Sequence, residues 1–127
     1  MVWQDWAMVG AGITGTTVGI IHGSLLGPKM IDPIVGRLRS TPEASGTTVR
    51  LTSALLHFST FAWITGGLAL VLAALLATDA VKGAATLFVG SQLLYGAIGN
   101  CWATRARHPG WLLMSVAVAL LVVSSLR

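Results

Sequence analysis

Three histidines and a single cysteine are the residues of this 127-residue chain best suited to hold a metal or a cofactor. His22 stands seven residues before Lys29, and His57 stands seven residues after Arg50. If both segments are helical, a rise of 1.5 Å per residue sets each imidazole roughly 10 Å inside its charged boundary, at matching depth. Cys101 lies four residues before Arg105, with Asn100 beside it, and His108 follows closer to the boundary. Ionisable side chains among apolar ones are expensive and tend to be paired or functional.

Three readings of this cluster are open. In the first, each ring stays neutral and bonds a hydroxyl or carbonyl across helices; Thr14, Thr17, Ser24, Ser53 and Thr60 are near in sequence. In the second, His22 and His57 are the axial ligands of a b-type haem, for which histidine is an ordinary ligand. In the third, His22, His57 and Cys101, with His108 as a shallower fourth, hold a metal. Sulfur with imidazole favours copper or zinc over magnesium. Packed helices lie about 8–10 Å apart, so a haem requires the two segments to sit diagonally or be wedged apart. A metal ion or a direct hydrogen bond suits neighbours. The apolar segments contain no carboxylate, which disfavours a carboxylate-bridged di-iron site.

The elements that must position these groups follow from charge. The chain is 54% hydrophobic and 9% charged, where a soluble domain carries about 25% charged residues. Charge-free windows of 23, 28, 22 and 19 residues follow Asp5, Arg50, Lys82 and Arg107. A helix spans a bilayer with roughly 17 to 25 apolar residues. The sequence therefore predicts an all-α fold, an integral membrane four-helix bundle forming one domain. Its spans cover about 5–27, 50–77, 84–104 and 109–126.

Basic residues set its orientation. The connection 28–49 with its edge carries Lys29, Arg37, Arg39 and Arg50, and the connection 104–108 carries Arg105 and Arg107. Lys82 and Arg127 fall at the opposite end with Asp5 and Asp79. Short basic loops stay in the cytoplasm, so 28–49 is read as cytoplasmic and both termini as external, in a bacterial inner membrane. Trp3, Trp6, Trp102 and Trp111 fall at the expected interfaces, and Trp63 does not. No Lys or Arg precedes the first span and no small-residue cleavage pattern closes it, so it does not read as a cleaved signal. Within 28–49, the segment "MIDPIVGRLR" alternates apolar and basic groups as a surface-lying stretch would, and Thr47 or Thr48 is expected to cap the second span.

Two patterns bear on assembly. Ala7, Ala11, Gly15, Gly19, Gly23 and Gly27 recur every fourth residue, as "GTTVGIIHGSLLG" shows for the glycines. In lipid, bare faces of this kind bring helices together by close backbone approach. Gly96 and Gly99 repeat the pattern more weakly in the third span, and Gln92, Tyr95 and Asn100 give that span a polar side. The polar side suits hydrogen bonds between helices, or the lining of a passive pore.

Several classes drop out. No aromatic-interleaved basic patch marks nucleic acid, and one cysteine allows no internal disulfide. The acidic residues Asp5 and Asp79 fall at the ends of spans and none lies in an interior, where a proton-coupled exporter would be expected to carry one. There is no serine–histidine–carboxylate set, phosphate loop or Cys-x-x-Cys; an enzyme acting on lipid or quinone stays open, with no residue pattern to mark it.

Three stretches, "IHGSLLG", "RLTSALLHFSTFAW" and "TRARHPGW", each carry one of the histidines. Together they resemble a loose group of small uncharacterised four-helix bacterial membrane proteins with a histidine in each of these places. Members of the group often have an acidic residue after the first motif, where this chain has Pro28 and Lys29. The resemblance implies the four-helix fold and that His22, His57 and His108 act together, and brings no activity with it. The expected role is that of a structural or accessory subunit. It would self-associate, or dock on a larger membrane complex, through the glycine face of the first span. A haem- or metal-binding redox protein and a passive small-solute channel are the alternatives.

Overall fold

The computed structural model describes residues 2–126. Among these residues there are five α-helices and no strand: α1 Trp3–Leu26, α2 Asp32–Arg39, α3 Gly46–Leu76, α4 Asp79–Ala103 and α5 Gly110–Ser124. The four long helices match the four charge-free windows. α1 packs on α3 and α5, and α4 packs on α5 and α3, so α1 and α4 lie across the diagonal. Met8, Leu70, Leu93 and Met114 fill the middle with Ala11, Ala117 and Leu121.

Several boundaries have a local cause. The Asp5 carboxylate accepts from the backbone N–H of Val2 at 3.0 Å and closes the first turn of α1. Pro28 removes an N–H and crowds the preceding turn. The chain therefore loosens into a π-helical turn over Gly27–Ile31 and continues as α2. Asp32 opens α2 and Arg37 and Arg39 close it, in accord with the helix dipole. Ile31 and Val35 bury against Val49 of α3 in a small second cluster. The cap of α3 is Ser45, whose hydroxyl accepts from Thr48 N–H at 3.1 Å. The expected caps, Thr47 and Thr48, are inside the helix because Gly46 is already helical. α4 ends in a Schellman turn, with Ala106 N–H bonded to Cys101 O at 2.8 Å and Arg105 N–H to Trp102 O at 3.2 Å.

The bundle has two chemically different ends. Lys82 Nζ meets Asp5 Oδ1 at 2.7 Å, joining the diagonal helices α1 and α4. Gln4 Nε2 reaches Leu126 O at 3.4 Å, so the described ends of the chain share this face of the bundle. Arg127, assigned to the same end from sequence, lies outside the described residues. Lys29, Arg37, Arg39, Arg50, Arg105 and Arg107 belong to the connections at the other end.

Among the described residues one helix, α3, is long and apolar enough to cross a membrane alone; α1 joins it only together with its bent continuation. α5 has 15 residues, about 22 Å of helix against a hydrocarbon core of about 30 Å.

The glycine stripe is divided rather than continuous. A Cβ on Gly12 would stand 2.6 Å from Gly67 O, and one on Gly67 would stand 2.5 Å from Gly12 O. At this crossing the backbones of α1 and α3 touch. Gly19 and Gly23 continue the seam against Ile64 and Thr60 of α3. Gly15 turns toward the core, where a Cβ would stand 3.6 Å from Leu93 Cδ2 and 3.8 Å from Gly67 Cα, a looser contact than those of Gly12 and Gly19, and Gly27 has nothing within 4 Å. The reason is helical phase. Four residues turn the face by about 40°, whereas seven and eleven residues return it to within about 20°. The contact row is Gly12, Gly19 and Gly23, and it is covered by α3 of the same chain.

Where the obstacle is backbone, an added methyl forces the helices apart. Gly12→Ala and Gly67→Ala are each expected to lower stability by about 1–3 kcal/mol. Gly27→Ala meets open space and leaves stability nearly unchanged. Thermal unfolding of the purified variants in detergent distinguishes these outcomes.

Candidate functional site

The expected meeting of His22 and His57 does not occur. His22 Nε2 and Ser59 Oγ of α3 lie 3.1 Å apart, and the Ser59 hydroxyl also donates to Leu56 O at 3.2 Å. The His22 ring stands edge-on to Trp63, with centroids 4.5 Å apart at 72°. His57 precedes Ser59 by two residues, about 200° around the helix, and is exposed. A haem ligated by both would have to separate α1 from α3, whose backbones touch at Gly12 and Gly67.

The expected metal ligands do not form a site either. Among the described residues, no three of His, Cys, Asp and Glu converge as a metal site. Cys101 is half-buried toward α5, beside Trp102, Trp111 and Ser115. The exposed His108 serves its own turn, its Nδ1 accepting from Gly110 N–H at 3.1 Å. Leu70, Leu93 and Met114 fill the axis of the bundle.

What the structure does bring together is the polar face of α4. Gln92, Tyr95 and Asn100, with Gly96 and Gly99, form one wall of a groove of about 560 Å³ between α3 and α4. Phe58, Ser59, Ala62 and Trp63 form the other wall. His22 braces this second wall from behind, through Ser59 and Trp63. Binding sites for small molecules have volumes of about 300–1,000 Å³ and are mostly apolar with a few converging polar groups.

The two wall glycines differ. Gly96 is where Trp63 and Met114 close on α4; a Cβ there would stand 2.9 Å from Met114 Sδ and 3.1 Å from Trp63 Cζ2. Gly99, expected to pack a helix, meets nothing within 4 Å. A glycine inside a helix costs about 0.8–1.0 kcal/mol relative to alanine, and no packing within the chain explains this one.

The polar groups also differ. Asn100 Nδ2 donates to Gly96 O at 2.9 Å and approaches Met114 Sδ at 3.9 Å. The Gln92 side chain is half-buried and makes no hydrogen bond to any described residue. Ser59 and Trp63 escaped the sequence reading as site residues because their signal is spatial: each matters through its contact with His22, and one sequence does not show that register.

No family model, curated protein or solved structure matches the chain.

The contrast between a satisfied and an unsatisfied polar group is measurable. Ser59→Ala removes the hydroxyl beside the His22 ring and is expected to destabilise by about 1 kcal/mol, a typical net value for one hydrogen bond. Gln92→Leu removes an amide without a partner among the described residues and is expected to leave stability unchanged or raise it. Unfolding of both variants in the same detergent supplies the comparison.

Proposed function

We propose that the protein is a four-span integral protein of a bacterial inner membrane, with both termini outside. It acts there as a non-enzymatic accessory subunit whose working surface is the α3–α4 groove. One observation carries this reading: the outward sides of the long helices are apolar. Trp102 is 83% exposed, Leu76 81%, Leu87 78% and Leu55 71%, and Ile13, Ile20, Phe61, Phe88 and Val116 are more than half exposed. Soluble monomers rarely expose contiguous apolar patches above a few hundred Å², whereas lipid is the natural solvent for such a surface. The charged groups support the same reading, because they lie at the two ends of the bundle.

The six basic residues of the connections orient that end toward the cytoplasm. The short α5 is accommodated by local thinning of the bilayer, at a fraction of a kcal/mol per Å. Since α3 covers the glycine face of α1, assembly with a second copy or a larger complex uses other surfaces. The groove is a large recess on the flank of the bundle with both aromatic and uncharged polar groups, and it opens sideways.

Single cysteines placed in a Cys101→Ala background test the topology. In intact cells an impermeant maleimide is expected to label Ser125→Cys, and to label Thr41→Cys only after lysis. Recovery of the protein in the soluble fraction, or the reverse labelling pattern, would overturn the reading.

A further inference from the structure

We propose that the α3–α4 groove binds a neutral, ring-bearing lipid of the quinone class, anchored by Gln92. The inference rests on the membrane reading above and names the occupant of the same groove. Four observations lead to it.

The first is charge. No Lys, Arg, Asp or Glu lines the groove, so nothing there compensates the phosphate of an anionic lipid or an ionised carboxylate. In a low-dielectric setting an unpaired charge is prohibitive, whereas a neutral oxygen needs only one good hydrogen bond. The second is the free amide. Gln92 offers two N–H donors and one carbonyl acceptor, none bonded to a described residue. A Cβ on Gly66 of α3 would stand 3.8 Å from Gln92 Oε1, an ordinary van der Waals distance, so the amide oxygen lies beside bare backbone while the side chain lines the groove. A ring carbonyl placed there accepts from the Gln92 amide.

The third is shape. Trp63 and Tyr95 flank the recess, and the backbone at Gly99 is bare on this side. Aromatic walls favour a flat ring in offset or edge-on contact, and the bare backbone lets it lie close to α4. Trp63 is fixed from behind by the edge of His22, so the wall is formed before a ligand arrives. The fourth is size. The α4 side runs from Ser91 to Ala103, about 18 Å of helix. The groove holds about 560 Å³, which suits a ring head and the beginning of its tail.

The test uses the full-length protein in lipid nanodiscs, titrated with decylubiquinone while tryptophan fluorescence is followed. Gly99→Leu fills the recess with a side chain whose Cβ meets no protein atom within 4 Å. Gln92→Leu removes the anchor. Gly83→Leu, also in open space but outside the groove, is the matched control. The expected result is saturable quenching in the wild type and in Gly83→Leu, with Kd raised at least tenfold in Gly99→Leu and Gln92→Leu. Quenching that grows linearly with added quinone, or that is equal in all four proteins, overturns the proposal.

A second measurement separates this failure from that of the groove reading itself. Tyr95 is replaced by p-benzoylphenylalanine and irradiated in native membranes. A cross-link to another polypeptide, without saturable quinone binding, overturns the lipid and leaves the groove as a working surface. Absence of both signals overturns both readings. A cross-link to a quinone-class lipid, identified by mass after extraction, supports the proposal.

Discussion

The fold depends on one approach: the backbone of α1 at Gly12 touches the backbone of α3 at Gly67. In a bilayer, apolar surface gains little by leaving lipid for protein, so helix association rests on dispersion and on how near two backbones come. Side chains at either position would hold the helices apart. With both bare, Gly19 and Gly23 extend the seam toward the basic end, and the register between α1 and α3 becomes fixed.

That register decides what the histidine does. His22 follows Gly19 and precedes Gly23 on the flank of the seam, so it reaches α3 at Ser59 and Trp63 rather than at His57. Its ring is held between a hydroxyl and the Trp63 indole, which stiffens the back wall of the α3–α4 groove. A polar residue placed against the glycine seam thus supports a surface on the far side of the neighbouring helix. The opposite end is tied differently, by the Asp5–Lys82 ion pair across the bundle diagonal. Dispersion contacts and a charge pair therefore act at separate levels along the same axis.

α4 is positioned by compromise. Gly96 lets Trp63 and Met114 close on it, and Leu93 enters the shared core. On the outward side, Gln92, Tyr95, Gly99 and Asn100 are left facing a recess. An amide without a partner and a glycine without a neighbour are both unfavourable for folding alone. Their presence on the same wall is what gives the groove its functional interest.

The sequence by itself determined the number of long helices, their approximate limits and the chemical difference between the two ends. Charge position and apolar length are local properties: Lys29, Arg50, Lys82 and Arg105 bracket the helices within a few residues. It also marked Gln92, Tyr95 and Asn100 as one polar side, because that depends only on spacing along a single helix. The tertiary structure alone decided which glycines carry the seam. A row spaced by four residues drifts around the helix, and only the crossing with α3 selects Gly12, Gly19 and Gly23. It alone decided that His22 meets Ser59, that Gly99 is open while Gly96 is closed, and that the histidines and Cys101 form no three-ligand cluster among the described residues. Depth along the bundle was legible from charge, but rotation about each helix axis was not, since rotation is fixed by packing between residues far apart in the chain.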